Sequence, residues 1–263
     1  MIILGINAYH ADSSAAILVN GELIAATEEE RFTRVKHWAG FPAQAILFCL
    51  KEAGVTIEEV DHIAIGRNPR AKVFNKFRYL LNNPGGGFGT VMNRLQNSKK
   101  VASLEKEFSL ITGVDAKTIK PKIHQVEHHR SHLASAFFAS PYNEAALLSI
   151  DGSGDFTTTM IATGKGTHIK VIDSVDFPVS IGIFYTAFTQ FLGFPHYGDE
   201  YKVMGLAPYG EPKYLEHLKD VIQFTPDGLF NWNEKYFTSA KDVVITYGND
   251  HIPFVGNLFT PYM

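Results

Sequence analysis

The sequence predicts an α/β fold built from two copies of one β-β-β-α unit, and three observations predict it. Short runs rich in Ile, Val and Leu occupy 2–7 (IILGIN), 15–19 (AAILV) and 22–27 (ELIAAT), and Asn20-Gly21 between the last two is a strong hairpin-turn signal. A second strand triplet occupies 146–151, 157–163 and 169–175, with Gly164 to Gly166 as its turn. Each triplet is followed by a segment with helical spacing of apolar residues, Pro42 to Ala53 in the first copy and Ile181 to Leu192 in the second.

Within the first helix, Ala43, Ile46, Leu47 and Leu50 share one face, and Gly54 stops it; His62 to Ile65 then reads as a further strand. Within the second, Ile183, Phe184, Ala187, Phe188 and Phe191 form the apolar face. Two related lobes of this kind make up the layout of the actin-like ATPases, a ribonuclease H-like fold, in which by analogy the turn after each first strand is expected to face a shared interlobe cleft. The expected boundaries are a first lobe over 1–125, with a basic helical insertion at about 70–110, and a metal-binding helix plus a partial second lobe over 126–263. The final HIPFVGNLFTPYM has no capping element, which reads as a second lobe that is incomplete, in a fragment or half of a split enzyme.

Composition narrows the classes. With 263 residues, 45% apolar and 19% charged, the chain has material for a real core, and a net charge of −3 gives no global attraction to nucleic acid or anionic lipid. Cys49 is the only cysteine, so an internal disulfide and a cysteine-based zinc cluster are both excluded. No signal-peptide pattern opens the sequence and no uncharged apolar run reaches the ~20 residues of a membrane span, so a cytoplasmic protein is expected.

The strongest chemical signal is EHHRSHLASAFFAS at 127–140, where His128 and His132, four apart on a helix, project from one face. Downstream, the strand LLSI runs into Asp151-Gly152-Ser153-Gly154-Asp155, a carboxylate at a strand end followed by a glycine turn with exposed N–H groups. Two imidazoles and Asp151 form a facial set suited to Fe(II) or a similar divalent ion, and Gly152, Ser153 and Gly154 are candidates for cradling phosphate. Chance spacing on a helix surface is the competing reading of the histidine pair. His129, about 100° round the helix, is expected behind the ligands or on the surface.

Three further segments carry polar groups. In Asn7 to Ser14, small and hydroxyl residues (Ser13, Ser14) allow a phosphate close approach, and His10 and Asp12 suit hydrogen bonding and proton transfer; a plain polar hairpin loop is the alternative. The charged TEEERFTRVKHWAGFP at 27–42 offers Arg31, Arg34 and Lys36 to phosphate or similar oxygens, or is a solvated turn. GFPHYGDEYKVMGLAPYGEP at 193–212 reads as a structured loop rather than a regular element, with Asp199, Glu200 and Lys202 available to a ligand and Tyr197, Tyr201 and Tyr209 packing it. Residues 70–104 contain seven Lys and Arg and no acidic residue, with Phe74, Phe77, Tyr79 and Phe88 interleaved and Pro84 to Gly87 as a loop; a phosphate-attracting surface and a solvated helical insertion both fit.

Taken in order, LGINAYHADSSAAIL, TEEERFTRVKHWAGFP, HHRSHLASAFFAS, SIDGSGD and GDEYKVMGLAPYG resemble the diagnostic blocks of the ATP-dependent O-carbamoyltransferases of the nodulation-factor and antibiotic type. The resemblance runs from Ile3 to about Gly210 and implies an actin-like fold. It also implies that carbamoyl adenylate, made from carbamoyl phosphate and ATP by a domain absent here, passes its carbamoyl group to a hydroxyl of a sugar, antibiotic or other small molecule. By matching positions, His128, His132 and Asp151 would hold the iron-like metal, His10 and Asp12 would lie in the transfer site, and Lys36 would contact carbamoyl or phosphate. Family members continue beyond this length with another carboxylate ligand, an adenosine loop and the adenylate-forming domain, so a separate C-terminal chain is a possible partner; membrane and nucleic acid are not expected partners. Competing functions are an actin-like small-molecule kinase, which has no need of the histidine pair, a noncatalytic nucleotide- or tRNA-binding partner, and a simple metallohydrolase.

Overall fold

The computed structural model describes residues 1–82, 104–196, 198–237 and 258–260. Two compact units divide the chain, Met1–Pro69 with Met92–His128, and Arg70–Val91 with His129–Met263.

The first unit begins with a meander of β1 (Ile2–Asn7), β2 (Ser14–Val19) and β3 (Glu22–Glu28), in which Ile3 faces Leu18 and Gly5 faces Ala16. Asn20 (φ 52°) and Gly21 (φ 89°) both lie in the left-handed region, as a two-residue hairpin turn of primed type requires. A short α1 (Glu30–Thr33) precedes α2 (Ala43–Ala53), which buries Ala45, Ile46, Cys49 and Leu50. Gly54, at φ 64°, closes α2 by donating its N–H to the carbonyl oxygens of Leu50 and Lys51. β4 (His62–Ile65) then adds parallel to β1.

The second unit contributes α3 (Val73–Asn82) before the chain returns to the first with α4 (Leu104–Thr112), α5 (Ala116–Ile119) and β5 (Ile123–Gln125), parallel to β4. The resulting sheet order, β3-β2-β1-β4-β5, with an antiparallel meander continued by two parallel strands, is that of a ribonuclease H-like, actin-type lobe. Its core is formed by Leu4, Ile6, Ile17, Ile46, Ile63, Ile65, Leu104, Phe108 and Ile119, all at most 5% exposed. Each such aliphatic side chain contributes about 1.5–3 kcal/mol by leaving water.

In the second unit, α6 (His128–Phe138) leads into the meander β6 (Glu144–Gly154), β7 (Thr157–Lys165) and β8 (His168–Asp176), followed by α7 (Ile181–Phe191). This repeats the β1-β2-β3-α2 order, as the sequence predicts. Leu133 and Phe137 of α6 pack on Leu147, Met160 and Ala162. The helix sits so close to β7 that a Cβ on Gly164 would lie 2.7 Å from the Phe137 ring. After α7 come α8 (Glu200–Leu206), α9 (Leu215–Val221) and the hairpin β9 (Ile222–Phe224) and β10 (Phe230–Trp232).

Two sequence expectations change here. Residues 200–206 form a helix inside what reads as an irregular loop, because the glycines and prolines concentrate on either side and leave EYKVMGL with a single glycine. The helix α3 groups with the second unit rather than with the first lobe: Lys72 pairs with Asp176 at 2.9 Å and Tyr79 packs on Phe156 and Phe177. Phe88, Arg94, Lys99, Lys100, the Pro84–Gly87 loop and Tyr197 lie outside the described residues. Among the described residues, no helix is long and apolar enough to cross a membrane.

Candidate functional site

The division between the units falls at the first residue of α6, so His128 and His132 ride on one continuous helix. Asp151 comes from β6, against which α6 packs. His128, His132 and Asp151 each offer a ligand atom, and these atoms lie within 4.8 Å of one another. His132 Nε2 stands 3.6 Å from Asp151 Oδ2, while Oδ1 accepts the Gly152 N–H at 2.6 Å, which fixes the carboxylate's rotation. His128 Nδ1 is 3.2 Å from the Gly66 carbonyl oxygen, and because a carbonyl can only accept, this contact selects the Nδ1–H tautomer.

The sequence reading left His129 behind the ligands or on the surface. It is fully buried, with Nδ1 at 2.8 Å from Ser149 Oγ and Nε2 at 2.9 Å from the Thr157 carbonyl oxygen. With both ring nitrogens engaged inside the unit, it anchors the turn of α6 that carries His132 to β6 and β7.

Two residues that sequence reasoning missed set the Asp151 turn. Ser180 Oγ accepts the Ile183 N–H at 3.0 Å as the cap of α7 and lies 2.7 Å and 3.1 Å from the carbonyl oxygens of Gly152 and Asp151. Gly182 lets the first turn of α7 lie on that backbone, since a Cβ there would meet Gly152 N at 2.5 Å and the Asp151 carbonyl carbon at 2.6 Å. A serine before an apolar helical run is a readable cap signal; its second task across the turn has no sequence signature.

The sequence reading made Gly152, Ser153 and Gly154 a turn with exposed N–H groups; they instead end β6, with the Gly152 N–H given to Asp151 Oδ1, because the hairpin turns later, through Asp155 (φ 51°) and Phe156 (φ 83°). A left-handed phenylalanine is a genuine outlier. Its ring, 5% exposed, is held against Phe177 and Tyr79, and these rings also line a cleft of about 240 Å³ with Asn75, Arg78, Asn82 and Asp176.

In the first unit, the β1–β2 turn carries His10, Asp12, Ser13 and Ser14. Ser13 is buried, and its hydroxyl lies 3.0 Å from the His10 carbonyl oxygen and 2.8 Å from that of Gly40, so it braces the turn. Ser14 opens β2. The His10 ring lies 5.9 Å from the His128 ring, centroid to centroid, with Nδ1 3.4 Å from the Ala11 carbonyl oxygen. Asp12 Oδ1 lies 2.9 Å from Nδ1 of His37, a residue the sequence reading passed over.

Lys36 pairs with Glu30 at 2.8 Å. That ammonium, with the His37 backbone N–H, holds the Glu30 carboxyl below its ordinary range. Buried Glu29 accepts the Gln44 and Ala45 N–H groups and so ties the charged segment to the start of α2. Lys202 is 2.6 Å from Asp199, which pulls the carboxyl down and the ammonium up; Glu200 accepts from Thr186 Oγ1. These three residues of α8 and its start are thus engaged within their own unit.

A family model described as the carbamoyltransferase N-terminus matches residues 2–255. The chain belongs to the carbamoyltransferase family. Relatives of this carbamoyltransferase chain include the uncharacterized protein sll1178 of Synechocystis, 41% identical over 93% of the chain and 40% of that protein, and the nodulation protein NolNO of Sinorhizobium fredii, 34% identical over 78% and 29%. The uncharacterized protein MJ1051 of Methanocaldococcus jannaschii is 30% identical over 85% of the chain and 37% of its own length. The chain therefore spans well under half the length of these relatives. Among solved structures, YeaZ from Pseudomonas aeruginosa is similar at a TM-score of 0.37 and 15% identity, over 68% of each chain. The fold of the carbamoyltransferase chain rests on its own strand order rather than on that likeness.

Proposed function

We propose that this chain carries the carbamoyl-transfer site of an ATP-dependent O-carbamoyltransferase, passing a carbamoyl group from carbamoyl adenylate to a hydroxyl of a sugar, antibiotic or other small molecule. The observation that carries the reading is the convergence of His128, His132 and Asp151 within a chain of this family. Two imidazoles and one carboxylate with further positions open fit Fe(II) or a similar divalent ion, which supplies Lewis acidity toward a carbonyl oxygen when bound.

The other roles follow from the chain's own groups. In the transfer, the acceptor oxygen bonds to the carbamoyl carbon, the bond from that carbon to the phosphate oxygen breaks, and AMP leaves with the electron pair. His10 is the group we assign to accept the hydroxyl proton, and Asp12, oriented by His37, receives the acceptor's hydrogen bonds. Lys36, 80% exposed at its side chain, swings from Glu30 to offset charge on the leaving phosphate. The Gly152 N–H is already given to Asp151 Oδ1, so of the run Gly152 to Gly154 we assign Ser153 to the same phosphate.

Iron analysis of protein purified anaerobically without a His tag, beside the H128A/H132A variant, tests the centre. Near-stoichiometric iron that the variant loses is expected. A second arm supplies carbamoyl adenylate and a panel of polyols and aminoglycosides, with carbamoylated product detected by mass spectrometry. Iron-free protein that binds ATP and forms no carbamate under any metal would overturn the assignment in favour of a kinase or a binding partner.

A further inference from the structure

A second group of metal-ligating side chains lies wholly within the first unit. Asp12 from the β1–β2 turn, Glu30 from α1 and His37 from the loop before α2 each offer one ligand atom, and these atoms lie within 4.8 Å of one another. The donor set is mixed, two carboxylates and one imidazole, rather than a patch of surface acids. His37 Nδ1 and Asp12 Oδ1 are 2.9 Å apart. Two ligands adjacent on one ion at about 2.1 Å each stand roughly 3 Å apart when they subtend a right angle, so the pair is already spaced for one cation.

Glu30 is the fixed member. Its side chain is only 10% exposed, and its Oε2 accepts the His37 backbone N–H at 3.2 Å, which locks carboxylate and imidazole to one short loop. Its Oε1 is 2.8 Å from Lys36 Nζ. Lys36 is the mobile member, with a side chain 80% exposed. An exposed lysine gains little from such a pair and recovers rotamer freedom when it leaves. A divalent ion can therefore take its place at Oε1 while Asp12 and His37 close on the ion from the other side.

We infer that Asp12, Glu30 and His37 form a second divalent-cation site, suited to Mn²⁺ or Zn²⁺, which fills by exchange with the Lys36 ammonium. Two oxygens and one imidazole match ions that accept both donor types. The exchange makes the site competitive: the lysine that neutralises Glu30 in the metal-free protein opposes loading, so removing it must tighten binding. A structural ion-pair cluster predicts no metal response to that change. The inference uses neither the substrate nor the His128/His132/Asp151 centre, but it shares Asp12, His37 and Lys36 with the proposed transfer site, so it is read by Mn²⁺ binding alone, without a transfer assay.

The test is equilibrium binding of Mn²⁺ to the metal-stripped 263-residue protein, with free Mn²⁺ read by its electron paramagnetic resonance signal. This hard ion discriminates against the exposed His62/His124 imidazole pair. Wild type is compared with D12N, H37A, K36M and H128A/H132A. The expectation is that D12N and H37A each lose one bound Mn²⁺, weakening that site by more than about tenfold. K36M binds at the same site more tightly than wild type, and H128A/H132A keeps it. Selective paramagnetic broadening of the His37 ring signals in wild type confirms the location even where a variant folds poorly. Mn²⁺ uptake unchanged in D12N and H37A, no gain in K36M, or an unbroadened His37 ring overturns the inference. Loss confined to H128A/H132A overturns it as well while leaving the first centre standing.

Discussion

Replacing Gly182 by alanine probes how the Asp151 turn is held. The added Cβ would sit 2.5 Å from Gly152 N, 2.6 Å from the Asp151 carbonyl carbon and 2.7 Å from its oxygen. All three are backbone atoms, so no side-chain end can swing aside, and ordinary contact requires the turn or α7 to move by about 1 Å. Overpacking of this kind costs about 1–3 kcal/mol. Alanine recovers up to about 1 kcal/mol of helix propensity and unfolded-state entropy, less here because Gly182 lies in the first turn of α7. The net loss is therefore about 1–2 kcal/mol, or roughly 3–6 °C in Tm for a chain of this size. The same shift carries Asp151 away from His132, and the affinity of the His128/His132/Asp151 centre should fall about tenfold or more. Urea unfolding followed by circular dichroism and an iron or Mn²⁺ titration of that centre read the two effects. A variant with an unchanged or higher unfolding midpoint and unchanged affinity refutes the argument that close approach at Gly182 shapes the turn.

Other expectations follow the same logic. His129→Ala removes a buried ring and leaves the Ser149 hydroxyl without its 2.8 Å partner, so a loss of about 2–4 kcal/mol is expected in denaturant unfolding; a loss under 1 kcal/mol would show that the ring is dispensable. Burial pushes the Cys49 thiol up to about 11, so native protein at pH 8 should resist iodoacetamide and react once unfolded, and rapid native alkylation counts against the core placement. The Tyr236 hydroxyl, with Gln223 and Asn233, holds Asp220 below its ordinary 3.8, and that carboxylate in turn raises Tyr236 above 10.0. The Asp220 contribution is present above 3.8 and fades as pH falls through its lowered folded value; the Tyr236 contribution is present below 10.0 and fades as pH rises through its raised one. D220N should therefore flatten both limbs of the stability profile, and unchanged limbs would dismiss the pair.

Local physics made much of this legible in the sequence. Asn20-Gly21 dictates a primed turn, the apolar periods locate α2 and α7 although Leu47 and Phe191 of the expected faces are exposed and Ala45, Cys49 and Thr189 are buried instead, and the four-residue spacing of His128 and His132 before a strand that carries Asp151 marks the candidate metal-ligating group. What stayed hidden depends on partners distant in sequence. The burial of His129 follows from Ser149 and Thr157 closing on it, and the bracing of the Asp151 turn follows from Ser180 and Gly182, 29 and 31 residues on. His37 and Glu30 read as charge in a polar run, because only the folding of that run beside the β1–β2 turn gives them Asp12 as a neighbour. The helix α8 was masked by the glycines and prolines around it.

The left-handed Phe156 has a consequence for how the hairpin beyond Asp151 can be altered. A non-glycine residue in that region costs roughly 1–2 kcal/mol, whereas removing a buried phenylalanine ring costs about 3–5 kcal/mol, so burial more than offsets the backbone's reluctance. Shape and stability thus draw on different atoms of one residue. Phe156→Gly would leave the φ angle comfortable and remove the ring that enforces it. Phe156→Leu would keep much of the apolar burial with the angle still strained. Between those two variants, the order of the hairpin and the stability of the unit become separately adjustable quantities.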